Sequence, residues 1–153
     1  MNPATSPEIL HAMVEVARRA RSQAHAPYSG FAVGAALLDE QGRVHAGCNI
    51  ENAAYPQGLC AEAGALAHLV LAGGKRVCAA VVVGEAPQPV TPCGGCRQKL
   101  REFAADDCPV WCADLQAITA RHTLGELLPA SFGPAHLTTP SGRQHTSSAP
   151  RGE

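Results

Sequence analysis

The run Val77-Cys78-Ala79-Ala80-Val81-Val82-Val83-Gly84, continued through Pro87, Pro89 and Pro92 into Cys93-Gly94-Gly95-Cys96-Arg97-Gln98-Lys99-Leu100, decides the fold. An apolar run this short suits a strand buried on both faces and cannot cross a bilayer. The three prolines keep the following connection extended. A helix is then expected from about Cys93 to Phe103. Cys96, Leu100 and Phe103 share one of its faces, so Cys96 should point inward.

Working outward, the chain alternates helices with strands. Ser6-Pro7-Glu8 opens a helix with a cap, a first-turn proline and an acid at the positive dipole end. Ile9, Met13, Val16, Ala20 and Ala24 follow at helical spacing, and Pro27 stops them. Phe31 to Leu38 and Val44 to Asn49 read as a strand pair turned at Gln41-Gly42. A loop from Glu51 to Leu59 feeds a helix from about Cys60 to Ala72, ended by Gly73-Gly74. Pro109 to Cys112 and Ala117 to Arg121 are further strands, and Thr123-Leu124-Gly125-Glu126 is a capping box before a short helix. Helices between strands imply a sheet covered on both faces. The expected fold class is α/β, a three-layer α/β/α sandwich around a central mixed sheet of about five strands. Residues 1–138 form one domain in this reading. Residues 139–153, polar and rich in Ser, Pro, Gly and Arg, read as a disordered tail. No internal repeat is visible.

Bulk properties narrow the functional classes. The 12 Lys and Arg are scattered among 13 Asp and Glu, for a formal net charge of -1. That is not the basic footprint of a nucleic-acid binder. No export signal precedes the first helix, so a cytoplasmic location is expected. Seven cysteines make an awkward disulfide set, because the count is odd. In a reducing compartment cysteines are more often metal ligands or buried thiols.

Two short runs carry the chemistry, Cys60-Ala61-Glu62 and Pro92-Cys93-Gly94-Gly95-Cys96. Alone, Cys93-x-x-Cys96 fits a redox motif or half of a structural zinc site equally well. With Cys60 it supplies three sulfur ligands and no obvious fourth, which fits a zinc that keeps one position for water. Cys48 and Cys78 lie in strand-like segments and read as buried small hydrophobes; Cys108-x-x-x-Cys112 could imitate a metal pair, but its strand-like setting favours buried thiols. An acid such as Glu62 in a first helical turn is ordinary by itself, because the dipole favours it. Two residues after a metal ligand it is also placed to move a water's protons. Each motif sits where a loop enters a helix, and the helix N-terminus should favour thiolate. None of the seven histidines forms a convincing ligand pair; His11, His25 and His45 lack a partner at useful spacing.

With these motifs the chain resembles the zinc-dependent cytidine deaminases, in their small homotetrameric form. The pattern of a ligand, one residue, glutamate, then Pro-Cys-x-x-Cys is the hallmark of zinc deaminases. The likeness extends over Tyr28-Ser29-Gly30-Phe31, Val33-Gly34-Ala35-Ala36-Leu37, Gly47-Cys48-Asn49-Ile50-Glu51-Asn52, Arg97-Gln98, and Leu127-Leu128-Pro129 with Phe132, from about residue 8 to 137. The resemblance implies one Zn2+ per subunit on Cys60, Cys93 and Cys96, with Glu62 as proton shuttle. It implies that Asn49 and Glu51 hold the ribose, that Phe31 lies against the pyrimidine, and that the Ala61 N–H reads the base. Phe132 is expected to reach a neighbouring subunit's pocket, and Tyr55 the 5′-hydroxyl region. Read without the family, Phe31 suits ordinary strand core and Asn49-x-Glu51 suits strand-end turn chemistry.

The implied reaction is hydrolysis of cytidine and deoxycytidine to uridine and deoxyuridine with release of ammonia, in pyrimidine salvage. Two other readings compete: a related deaminase acting on another aminated nucleoside of the blasticidin kind, and a non-catalytic zinc module. The partners implied are a small nucleoside and three further copies of the chain, with no nucleic acid and no membrane. One departure stands out. The family often has arginine after the motif glutamate, where this chain has Ala63. Arg97, beside Cys96, is then expected to offer charge-assisted hydrogen bonds to thiolate sulfur, with the two helix ends sharing the compensation.

Overall fold

The structure, a computed structural model, describes residues 6–137. The tail expected over 139–153 and the domain limit at residue 138 lie outside the described residues. Ser6 caps the first helix, α1 (Pro7–Arg21), its hydroxyl accepting from the Ile9 N–H. The helix stops at Arg21, short of the expected stretch to Ala24. There the chain turns, and the Arg21 guanidinium donates to the Ala32 carbonyl at 3.0 Å.

Five strands form one mixed sheet in the order β2-β1-β3-β4-β5. They are β1 (Val33–Asp39), β2 (Val44–Cys48), β3 (Val77–Gly84), β4 (Pro109–Ala113) and β5 (Ile118–Thr123). β1 is antiparallel to both β2 and β3, β3 is parallel to β4, and β4 is antiparallel to β5. The central strand β3 is the continuous apolar run that opened the reading, buried almost throughout. A parallel β3–β4 pair needs a crossover. The helix after Cys93 supplies it.

Alternation along the strands divides the core between the two faces. Met13, Val14 and Ala17 of α1 cover Ala36, Leu38, Ala79, Val81 and Trp111. On the other face lie α2 (Ala61–Leu71) and α3 (Gly94–Phe103), with the short α4 (Leu124–Leu127). Leu66, Leu69, Leu100 and Leu124 there cover Ala35, Leu37, Ala80 and Val110. This is the expected three-layer sandwich. The Thr123–Glu126 capping box before α4 is complete.

Gly47 fixes how close α2 comes to the sheet. A β-carbon there would collide with the Ala61 carbonyl oxygen and the Ala65 nitrogen. Only glycine lets the first turns of α2 press directly onto β2. That turn carries Cys60 and Glu62, so this contact sets their depth.

Among the remaining cysteines, Cys108 and Cys112 are buried as expected, whereas Cys48 and Cys78 are only half-buried. Burial pushes the Cys108 thiol up to about 12, with the Cys78 and Asp107 charges adding to it. No histidine joins a metal-capable cluster among the described residues, but His45 has a carboxylate partner. It is buried, and its Nε2 lies 2.8 Å from Asp39 Oδ2. Its partner is on the neighbouring strand, six residues away across the hairpin, rather than at a helical or metal-site spacing.

Candidate active site

Two helix N-termini meet at one end of the sheet. Cys60 is the N-cap of α2 and Cys93 the N-cap of α3, while Cys96 lies in the first turn of α3. Gly84 ends β3 and the Pro-rich segment carries the chain across to Cys93, so the sheet sets the spacing of the two helix starts. The three sulfurs lie within 4.8 Å of one another, and no other such metal-capable cluster occurs among the described residues. Cys60 Sγ and Cys93 Sγ are 3.8 Å apart. Tetrahedral zinc with bonds of about 2.3 Å needs sulfurs roughly 3.8 Å apart, so the donor set and its spacing fit the metal.

Glu62 is 5 % exposed, which is unusual for a carboxylate. Burial pushes its carboxyl above the usual carboxylate range; its own backbone N–H, the Cys96 thiol and the Lys99 ammonium pull the other way. The thiols do not all behave as their helix ends suggest. Burial raises Cys60 and Cys96, and the Cys93 sulfur and the Glu62 charge add to the rise at both. Cys93 is lowered: burial opposes ionisation there, but the Cys96 N–H and the neighbouring thiols outweigh it. Crowded acidic groups resist ionising together, and a divalent cation among them reverses that balance.

One cavity of about 240 Å³ gathers Phe31, Val33, Asn49, Cys60, Ala61, Glu62, Val82, Val90, Thr91 and Cys93 around its wall. Six of the residues singled out in the sequence therefore line one cavity, and buried Cys96 completes the sulfur cluster beside it. Ala61 is the first residue of α2, where a backbone N–H has no intrahelical acceptor.

The Asn49–Glu51 run is fastened on both sides. Ile50 exchanges hydrogen bonds with Leu59, just before Cys60, at 2.9 and 2.8 Å. His25 N–H donates to the Asn49 carbonyl, and Glu51 N–H donates to the His25 carbonyl. The Asn49 side chain clamps the start of β1: Oδ1 accepts from Val33 N–H and Nδ2 donates to the Phe31 carbonyl, each at 2.8 Å. Turn chemistry at this run is thus present, as the local sequence suggested. Glu51 accepts from the backbone N–H groups of Tyr28 and Ser29 and from the Ser29 hydroxyl. The Ser29 hydroxyl and then the Tyr28 N–H hold its carboxyl below the ordinary value.

Not every expected residue joins the cavity. Glu51 and Tyr55 line a neighbouring one of about 360 Å³ with Tyr28, Ser29, Asn52 and Gly58. Phe132 is exposed; its carbonyl accepts from Gln98 and its ring stacks on His136. Arg97 corrects the expectation for thiolate contacts. Its Nε donates to the Pro92 carbonyl, Nη1 to the Leu127 carbonyl and Nη2 to the Thr91 hydroxyl, at 2.7, 2.8 and 2.9 Å. The guanidinium thus ties the extended segment to the end of α4. Val90 and Thr91 are wall residues that the sequence reading passed over. Their place directly before Pro92-Cys93 was the available signal.

Comparison with known proteins agrees with this geometry. The profile of the cytidine and deoxycytidylate deaminase zinc-binding region matches residues 7–113. A cytidine deaminase of Sporosarcina psychrophila is 41 % identical over 126 residues, covering 82 % of this chain and 93 % of its own. One from Halalkalibacterium halodurans is 43 % identical over 120 residues, covering 78 % and 91 %. The crystal structure of a cytidine deaminase from Burkholderia pseudomallei superposes with a TM-score of 0.76 at 43 % identity, covering 80 % of this chain and 98 % of that one. A convergent three-sulfur cluster with a buried glutamate beside it, in this fold and at this level of identity, means that the chain belongs to the zinc-dependent cytidine deaminase family.

Proposed function

We infer that this protein hydrolyses the 4-amino group of cytidine and deoxycytidine, giving uridine and deoxyuridine and releasing ammonia. The observation that carries the reading is Glu62, a buried carboxylate in the wall of the cavity where the Cys60, Cys93 and Cys96 sulfurs converge. Zinc on those sulfurs supplies a water acidified toward neutral pH. Every other step falls to the chain's own residues. Glu62 takes a proton from that water and gives it to N3 of the pyrimidine, which makes C4 electrophilic. As the water oxygen bonds to C4, Glu62 takes that oxygen's second proton and passes it to the 4-amino nitrogen, so that the C4–N bond breaks and ammonia leaves. Burial raises the carboxyl's proton affinity, as a group that both accepts and returns protons needs.

Phe31 lies against the base, and the Ala61 N–H at the start of α2 holds a base oxygen. Asn49 and Glu51 hold the ribose. Their backbone bonds leave capacity for this: an amide offers two N–H donors and two lone pairs, and a carboxylate about four lone pairs. Groups held in place before the sugar arrives bind it at lower ordering cost. They also discriminate, because free cytosine leaves them unpaired.

Assembly into a homotetramer completes the reading. α2 is apolar apart from Glu62 and His68, and its outer face leaves Val70 48 % and Leu71 85 % exposed. A helix apolar nearly all round belongs in an interior. Phe132 and Tyr55, both largely exposed, are the side chains offered to neighbouring subunits. A cytoplasmic role in pyrimidine salvage fits seven cysteines of which none forms a disulfide.

Ammonia release on cytidine, deoxycytidine, cytosine and a blasticidin-like nucleoside, with zinc measured on the same sample, tests the reading. Turnover of the first two and near-silence on cytosine is the expected pattern. Glu62→Gln should keep its zinc and lose about 10²–10⁴-fold in turnover. A fully active Glu62→Gln protein ends the proposal.

A further inference from the structure

Alternation puts Ala80, Val82 and Gly84 on one face of β3, the face that α2 and α3 cover. Val82 lines the Glu62 cavity, and so does Val33, the β1 residue paired with Gly84. Gly84 has no side chain to add to that wall, and Val90 fills the place. A β-carbon on Gly84 would lie 3.1, 3.2 and 3.3 Å from Val90 Cγ2, Cγ1 and Cβ, tighter than ordinary van der Waals contact. Glycine in a strand often marks such a close approach. The segment that carries Val90 is held as well. The Thr91 hydroxyl and the Pro92 carbonyl accept from Arg97 at 2.9 and 2.7 Å. Val90 therefore sits between the Gly84 backbone and the cavity it lines, on a strap that cannot easily retreat.

In cytidine bound as inferred above, N3 and C4 face Glu62 and the three-sulfur centre. The base oxygen takes the Ala61 N–H, N1 carries the ribose, and a ring face lies on Phe31. The edge left over, C5–H and C6–H, is the only hydrocarbon edge of the base. Valines can accept that edge without leaving a polar atom unpaired, which no other edge permits. Val33, Val82 and Val90 are the valines of this cavity.

We propose that Val90, seated on Gly84, is the specificity-determining contact for the C5 edge of the pyrimidine and closes the cavity to nucleosides with a bulky 5-substituent. Gly84 acts by position alone: it touches no substrate and sets how far Val90 reaches into the cavity. Both roles rest on the deamination reading.

The ratio of kcat/KM for 5-iodocytidine to that for cytidine, taken on one sample of intact protein, reads this wall, because the fraction of folded, zinc-loaded protein cancels. The wild-type protein should strongly prefer cytidine. Val90→Ala should raise the ratio about tenfold, the scale of a methyl-sized change in an apolar pocket. Gly84→Ala presses Val90 toward the open cavity and should lower the ratio about fivefold, the low end of overpacking. Gly84→Ala placed in the Val90→Ala protein should lose that effect, since both γ-carbons it would strike are gone. Calorimetric binding of 5-iodouridine against uridine should rank the proteins in the same order without turnover. A Val90→Ala ratio equal to wild type overturns the proposal, and so does a Gly84→Ala effect that persists in full without the valine. If Gly84→Ala does not fold, the Val90→Ala ratio decides alone. A wild-type protein that binds uridine but releases no ammonia from cytidine would instead overturn the deamination reading, and the binding ratios would still judge the wall.

Discussion

At the scale of single residues, a buried polar cluster lies away from the candidate site. Asp39 is buried at the end of β1 and accepts from the Gln41 and Arg43 N–H groups, from Arg43 Nε and from His45. Arg43 also reaches the Ala72 carbonyl at the end of α2, at 2.8 Å. Burial works against ionisation of Asp39, but the His45 contact and the Arg43 and Gln41 bonds outweigh it and hold the carboxyl well below its usual range. A carboxyl lowered on folding adds stability above its unfolded value, about pH 4, and loses it as pH falls through the folded value. Asp39→Asn should therefore cost about 3 kcal/mol at pH 7, the scale for breaking a buried pair. The gap between the two proteins should narrow as pH is lowered from 4 toward 3. Denaturant titrations at each pH decide this; a gap that stays constant would show that the charge contributes nothing.

At the scale of elements, the candidate site depends on two helix starts held against the sheet. Gly47 sets one of them, since its missing side chain lets the Ala61 turn sit on β2. Gly47→Ala forces that backbone contact apart. We expect a loss of about 2–3 kcal/mol, in the range of overpacking, together with reduced zinc content, because Cys60 and Glu62 move with the turn while Cys93 and Cys96 stay with α3. Thermal melts and metal analysis of the purified variant check both parts. A variant as stable as wild type with a full zinc complement would mean that α2 can shift without disturbing the cluster. The extended segment before Cys93 plays the matching part on the other side, where Arg97 ties Thr91 and Pro92 to the end of α4.

At the scale of the whole molecule, one face is unfinished. α2 presents Val70 and Leu71 outward beside Phe103, and the candidate site's cavity is separate from the one that holds Glu51 and Tyr55. The proposed tetramer would cover this exposed apolar surface with a second copy of the chain. Light scattering should give four times the 15.8 kDa chain mass. Val70→Glu with Leu71→Glu should shift the protein to smaller species and lower turnover in parallel, since each site then lacks its neighbours' side chains. A doubly substituted protein that stays tetrameric would remove this face from the interface.

The sequence alone determined the order of elements, the sulfur trio and the acid beside it, because these are local facts. A continuous apolar run, a cap, a Cys-x-x-Cys bite and a Cys-x-Glu spacing are each written within a few residues. Tertiary structure decided what depends on distance across the fold. It set Glu51 and Tyr55 in a cavity beside the Glu62 one, turned Arg97 to Thr91, Pro92 and Leu127, and gave His45 a buried partner in Asp39. Hydrogen bonds and charges pair with whatever group packing brings within reach, and no spacing along the chain records which group that will be.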